Sequence, residues 1–278
     1  MTDSTAPPSP RYGQIDHDYG LRLATTAPED DGPVWMINLM KYREVADYAD
    51  GRETSLTGRE ADDEYAPLDS LAAVGARPVL IADVDQQVLG DDVTWDRIGI
   101  VRYPTRKAFV DMQSLPGFQK SHEHKDAGME FTIVIGTQPM ANPMPQDEWP
   151  DWADVEHPPT DDDGPVVVMH VIRFEDADPG AETPAEMEAY QAGALNAARR
   201  HGVRVNGWFA AEGTIIGDGR VWHQVRFNEF PSKAAFLAVV ADPERLAAQK
   251  DHRERAIADT YTMILRAGIN DLYASTLE

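Results

Sequence analysis

The stretch that decides the fold is Gly32-Pro33-Val34-Trp35-Met36-Ile37-Asn38-Leu39-Met40-Lys41-Tyr42, because it occurs twice. It returns as Gly164-Pro165-Val166-Val167-Val168-Met169-His170-Val171-Ile172-Arg173-Phe174, with the residue class kept almost position by position. Two further blocks return in the same order. Trp95 to Phe109 matches Trp222 to Phe236: both contain a β-rich stretch, an aromatic-Pro pair (Tyr103-Pro104, Phe230-Pro231), a Thr or Ser, a basic residue and Ala-Phe. Gln119-Lys120-Ser121-His122 matches Gln249-Lys250-Asp251-His252, and each precedes an aromatic-Thr pair opening an apolar strand. The offsets of 132, 127 and 130 residues differ only by what loop insertions add. Three ordered blocks at one period indicate an internal duplication.

Working outward, each copy predicts strand, helix, strand, strand, helix, strand. The first strands are residues 34–42 and 166–174. The first helix of the second copy is expected after Thr183, with Pro184 in its first turn, Glu186 completing a capping box and Gly202 as its stop. Its counterpart runs from Gly58 to Gly75, after an insertion, residues 44–57, that the second copy lacks. Gly90-Asp91-Asp92 and Gly217-Asp218-Gly219 read as hairpin connections between strands two and three. The second helices start at Thr105 and Ser232.

This order is the ferredoxin-like arrangement, whose sheet carries both helices on one face and leaves the other apolar face bare. The expected fold is therefore α+β: two ferredoxin-like βαββαβ repeats packed sheet to sheet as an intramolecular pseudo-dimeric α+β barrel. The expected organisation is a flexible N-terminal arm (1–31), a first repeat (32–140), a Pro/Asp-rich linker (141–163) and a second repeat (164–278). Runs such as Glu29-Asp30-Asp31 and Asp161-Asp162-Asp163 read as solvated loop.

The chain has 25 basic and 48 acidic residues, a formal net charge of -23. Such a surface repels phosphate backbones and anionic lipids, which argues against nucleic-acid and membrane partners. With no cysteine, disulfides, thiolate metal sites and cysteine nucleophiles are excluded. Residues 1–31 lack a basic start followed by an apolar core, so no secretory signal is read and cytoplasmic residence is expected. A Gly-rich nucleotide loop, a GxSxG elbow and a metal-binding motif are missing, which disfavours nucleotide-dependent, serine-hydrolase and zinc chemistry. His122-Glu123-His124 has the wrong spacing for a helical zinc pair, and Glu60, Asp63 and Glu64 read as a solvated helix start.

The strand ending Asn38-Leu39-Met40-Lys41-Tyr42, the Trp95-Asp96-Arg97 block leading to Tyr103-Pro104-Thr105, and the strand Phe131-Thr132-Ile133-Val134-Ile135-Gly136 resemble the dimeric α+β barrel superfamily. Within it the chain resembles an uncharacterised family of small single-repeat proteins, here fused in tandem. The superfamily's members include cofactor-free monooxygenases, muconolactone isomerase, polyketide-type cyclases and haem-dependent enzymes, so the resemblance implies a small-molecule enzyme without choosing a reaction.

A polar side chain on a central strand is costly unless it is paired or lines a cavity. That singles out Asn38 and His170, matched on strand one, as candidate hydrogen-bond donor or general base. On strand three Asp96 matches His223, and Arg102 matches Glu229, on the face shared with Ile98 and Ile100 or Val225 and Phe227. Tyr65 and Tyr190 lie on the first helices, and resemblance to the cyclases pairs Tyr190 with His170. The catalytic candidates are thus His170, Tyr190, His223 and Asn38. The substrate-binding candidates are Tyr65, Arg102, Trp208, His252 and His122. The expected function is proton-transfer chemistry on a small organic molecule (cyclisation, isomerisation, elimination or cofactor-free oxygenation) in a pocket between sheet and helices, without cofactor or metal. Two alternatives stand beside it: a non-catalytic ligand-binding or assembly module, and a haem protein with His122, His252 or His170 as axial ligand. The chain is expected to act as a monomeric pseudo-dimer or a homodimer.

Overall fold

A computed structural model describes residues 10–175, 177, 178 and 180–278. The first half contains β1 (Gln14–Ile15), α1 (His17–Thr25), β2 (Val34–Tyr42), α2 (Gly58–Tyr65), α3 (Leu68–Ala73), β3 (Arg77–Leu89), β4 (Arg97–Tyr103), α4 (Arg106–Met112), α5 (Pro116–Gly128) and β5 (Met129–Pro139). The second half contains β6 (Val166–Phe174), α6 (Ala185–Arg200), β7 (Arg204–Gly217), β8 (Gln224–Phe230), α7 (Lys233–Ala241), α8 (Pro243–Ala248), α9 (Glu254–Ala256), β9 (Ile257–Asn270) and α10 (Leu272–Ser275). The fold is mixed α+β with antiparallel strand pairing. Among the described residues no helix is long and apolar enough to cross a membrane.

The chain divides into two compact units that do not follow the sequence repeats. The first holds residues up to 78, 96–136 and 214–220; the second holds 79–95, 137–213 and 221–278. Most of β3 therefore belongs to the second unit, and the end of β7 to the first.

In the first unit β2 lies between β5 and β4, with Val34 opposite Tyr103 and Met40 opposite Arg97. Val34, Met36, Tyr103 and Val134 bury against Leu71, Met112 and Phe118 from the helices. The N-terminal segment, expected to be a flexible arm, is folded from its first described residues. β1 pairs with the end of β7 at Gln14–Gly217 and Ile15–Ile216. Asp16 caps α1 by accepting from the Tyr19 amide at 2.9 Å, and Tyr19 and Leu23, four apart on one helical face, enter the core. The insertion packs as well: Ala46 and Tyr48 bury against Ala61 of α2 and Ala127 of α5.

In the second unit the strand order is β3-β9-β6-β8-β7. One sheet face packs on the helices: Val168, Val205 and Ile264 meet Ala198, Phe236 and Val239. Between α8 and α9 the helix passes through a π-helical turn, Gln249–Arg253. Residues 141–163 are not a loose tether. They form two 3-10 turns, the Trp152 indole donates to the Gly202 carbonyl at 2.7 Å, and Arg204 stacks on the same ring at 3.7 Å.

Local chemistry repeats between the halves. Asp31 accepts from the amides of Arg106 and Lys107, and Asp163 from those of Lys233 and Ala234. The two aspartates read as solvated loop satisfy first-turn amides of α4 and α7, beside the N-caps Thr105 and Ser232. Gly75 and Gly202 both sit at positive φ, +72° and +83°, and in each case the next amide (Ala76, Val203) reaches back to a helix carbonyl (Leu71, Ala198). One expected detail is different: α6 carries no side-chain cap, because the Thr183 hydroxyl accepts instead from Gln224. The capping box occurs at α2, between Thr57 and Glu60.

Candidate active site

Strand alternation decides which side chains of the second unit can meet a ligand. On β8, Arg226, Asn228 and Phe230 face the helices; on β6, His170 and Ile172; on β9, Thr260 and Thr262. Between this face and α6, α7 and the π-turn lies a cavity of about 370 Å³, at the lower end of the range for small-molecule sites. Its walls are largely apolar, with a few polar groups converging from strands and helices.

His170 Nδ1 shares a hydrogen bond with the Thr262 hydroxyl at 3.1 Å. Burial, with Arg253, Arg226 and Arg245 around it, pushes its pKa down to about 3, so the imidazole is neutral at physiological pH. Arg226, 4% exposed, stacks on the Trp208 ring at 4.3 Å and donates from Nε and Nη2 to the Gln224 side-chain oxygen. Burial lowers its pKa to about 9, against the opposing pull of Tyr190, and it stays charged near neutrality. The Trp208 indole donates to Asn228 at 3.1 Å, fixing the ring beneath the guanidinium. Arg253 enters from the π-turn, its pKa lowered by burial, and Arg245 from α8 donates to the Val240 carbonyl. A buried Gln191 side-chain oxygen in the wall has no hydrogen-bond partner. Among the described residues none of these three arginines has an ion-pair partner, and the cavity lining contains no Asp or Glu.

Of the residues singled out from sequence, His170, Tyr190 and Trp208 line this cavity. His223 is outside the cavity lining, stacked on the Phe174 ring at 5.2 Å. Its Nδ1 accepts from the Phe174 amide at 3.1 Å and its Nε2 lies 3.1 Å from the Asp178 carbonyl. Its matched residue Asp96 does the same work, accepting from the Tyr42 amide at 2.7 Å. The two thus anchor equivalent strand ends rather than differing in chemistry. His252 hydrogen-bonds Glu186 at 2.6 Å, outside the cavity lining.

The remaining candidates are in the first unit. Asn38 donates to the Met36 and Gly99 carbonyls, and Arg102 stacks on Trp35 at 5.4 Å. Tyr65, Phe118 and His122 form mutual ring contacts at 5.3–6.0 Å, and His122 Nε2 is 3.1 Å from the Tyr12 hydroxyl. Burial, with Lys125 nearby, lowers the His122 pKa to about 4. Lys125 is itself buried beneath the Tyr65 and Tyr12 rings, which lowers its pKa. Glu60 and Asp63 are committed, the one to the capping box and the other to Arg97 at 2.9 Å.

Sequence reasoning missed Arg226, Arg253 and Arg245. The recurring blocks held the signal for two of them: at the 127-residue offset Arg226 falls opposite Gly99, and at the 130-residue offset Arg253 falls opposite Glu123. A glycine exchanged for arginine on a central strand, and a charge reversal on a helix, are larger departures than the pairs that were compared.

Fold and site together define a mixed α+β protein with an apolar, arginine-lined cavity between the sheet and helices of its second unit. No known family and no curated protein matches the sequence. Among solved structures, the chain is similar to a protein of unknown function from Rhodopseudomonas palustris in its methylated form: 30% identity over 47% of this chain and 97% of that one, TM-score 0.41. It is also similar to an anthrone oxidase-like protein (14% identity, 88% of this chain and 97% of that one, TM-score 0.48). A variant of chlorite dismutase from Candidatus Nitrospira defluvii matches at 13% identity over 94% of this chain and all of that one, TM-score 0.46.

Proposed function

We propose that the chain is a tandem duplication of a ferredoxin-like unit, of the dimeric α+β barrel type, and that it works as a small-molecule enzyme through the second unit's cavity. The recurring sequence blocks support the duplication. So do the matched hydrogen bonds: Asp31 with Asp163 at the helix starts, Asp96 with His223 at the strand ends, Gly75 with Gly202 at the helix stops.

The observation that carries the enzymatic reading is a neutral, partly buried imidazole facing a partly open, largely apolar cavity. With Nδ1 held by Thr262, Nε2 of His170 is left to accept a proton from a bound substrate, and Tyr190 lies within the same walls to donate or polarise. The surrounding guanidiniums favour negative charge, so they stabilise an enolate or phenolate formed when that proton leaves. No cofactor is required for such a step. The reactions that fit are cyclisation, isomerisation, elimination and cofactor-free oxygenation of a stabilised carbanion. Asn38, His122 and Tyr65 serve packing of the first unit, and His223 and His252 serve structure in the second.

The haem alternative rests on His170, because of the three candidate histidines it is the one that lines the cavity. Added haemin then gives a Soret band that His170→Ala removes.

The test of the main reading is to release small molecules from the purified, denatured protein, identify them by mass spectrometry, and follow exchange of their acidic C–H positions in D2O with intact protein. Wild type accelerates exchange and His170→Gln does not. Equal exchange by both proteins overturns the assignment.

A further inference from the structure

We infer that this cavity selects an organic anion: a carboxylate, sulfonate or phenolate head carried on an aromatic or alicyclic body. The inference rests on reading the cavity as the ligand site and adds the chemical class of the ligand.

The charge inventory of the walls is the first observation. The chain carries almost twice as many acidic as basic residues, yet every permanently charged side chain lining the cavity is an arginine, and no carboxylate lines it. Arg226, Arg245 and Arg253 reach it from β8, α8 and the π-turn. Glu254, next in the chain to Arg253, acts on that side chain but does not line the cavity.

Burial makes that inventory meaningful. A guanidinium as enclosed as Arg226 is costly to hold without a counter-charge. The Trp208 face and the Gln224 oxygen offset part of the cost. A ligand anion supplies the rest, and the fork geometry of arginine suits a carboxylate or sulfonate. His170 is neutral and adds no competing charge.

The π-turn is the device that delivers Arg253. A π insertion rotates the following residues relative to a regular helix, and such insertions recur at functional sites. In the second unit it sends Gln249 and Arg253 to the cavity while His252 pairs with Glu186. The matched segment of α5 is regular helix, with Glu123 at the matched position and His122 packed among rings.

The remainder of the wall, including Ile172, Leu195, Phe236 and Val239, is apolar. A small inorganic anion would leave this surface unfilled, so an amphiphilic ligand fits better than phosphate or sulfate.

The experiment compares two fluorescent probes of similar shape, 8-anilinonaphthalene-1-sulfonate and the uncharged N-phenyl-1-naphthylamine, by titration of the full chain. Wild type is expected to bind the sulfonate at least about tenfold more tightly. Arg226→Gln and Arg253→Gln are each expected to remove most of that preference while the neutral probe keeps its affinity. Arg253 is less buried than Arg226, so its variant keeps the test valid if Arg226→Gln fails to fold. Ala194→Trp, which fills the cavity, is expected to abolish both. Equal affinity for the two probes in wild type overturns the anion inference and leaves the cavity reading standing. Binding of neither probe overturns the cavity reading itself, and sulfonate binding that survives Ala194→Trp places the probe elsewhere and overturns the inference.

Discussion

The two units use the same scaffold positions for opposite ends. In the first, aromatic rings meet between helices and sheet: Tyr65, Phe118 and His122 pack ring to ring, and Tyr12 is almost fully buried. There α2 and α5 touch backbone to backbone, where a Cβ on Gly58 would clash with the Gly128 carbonyl. In the second, His170 replaces Asn38, Arg226 replaces Gly99, Arg253 replaces Glu123, and a cavity remains. Residues that hold the scaffold keep their job across the halves even when their identity changes, as Asp96 and His223 do. Residues facing the helices change both identity and job, and there the function is to be sought.

That contrast can be broken most forcefully by truncation. Phe118→Ala should cost about 3–5 kcal/mol of unfolding free energy in a denaturant titration, as a buried aromatic lost from a packed core. Tyr190→Ala removes a side chain that borders existing space, so its cost should be less than half as large. Equal losses would mean that the two units pack alike around these rings.

Acid sensitivity sharpens it next. Histidines with lowered folded pKa values take up protons in the unfolded chain first, so their contribution is complete above about pH 6.5 and falls as the pH drops. For His170 the loss continues to about pH 3, and for His122 to about pH 4. Each contributes a slope of up to about 1.4 kcal/mol per pH unit. Denaturant melts of His170→Gln and His122→Gln between pH 7 and 4 should each be flatter than wild type, and an unchanged slope would show that the ring is solvated.

The matched strand anchors come third. Asp96→Ala and His223→Ala each leave a backbone amide without its acceptor and should cost about 1–3 kcal/mol. If His223→Ala abolished turnover without loss of stability, its anchoring role would be wrong. Smallest are the paired first-turn acceptors: Asp31→Ala and Asp163→Ala should each lower stability by about 1 kcal/mol, and by similar amounts.

Much of this was legible in the sequence because the recurring blocks offer many positions a second reading. Strand and helix order, the helix stops at Gly75 and Gly202, and the strand and helix that carry His170 and Tyr190 follow from local pattern. The exchange of β3 and the end of β7 between compact units does not, since it depends on contacts far apart in sequence. The N-terminal segment was misjudged from its Pro-rich start, although Asp16 followed by Tyr19 and Leu23 already spelled a capped, one-sided helix. Arg226 escapes a reading of the face that carries His223, Val225 and Phe227, because the cavity uses the alternate face of β8. The π-turn that aims Arg253 leaves no periodicity signal at all.

The most direct test of the central contrast is a histidine-resolved NMR titration. Protein labelled with 15N-histidine, assigned through His170→Gln and His122→Gln, is titrated with 1-naphthoate. The ring signals of His170 should move in step with binding while those of His122 stay fixed. Movement of His122 with His170 unchanged would put the working site in the first unit and contradict the account.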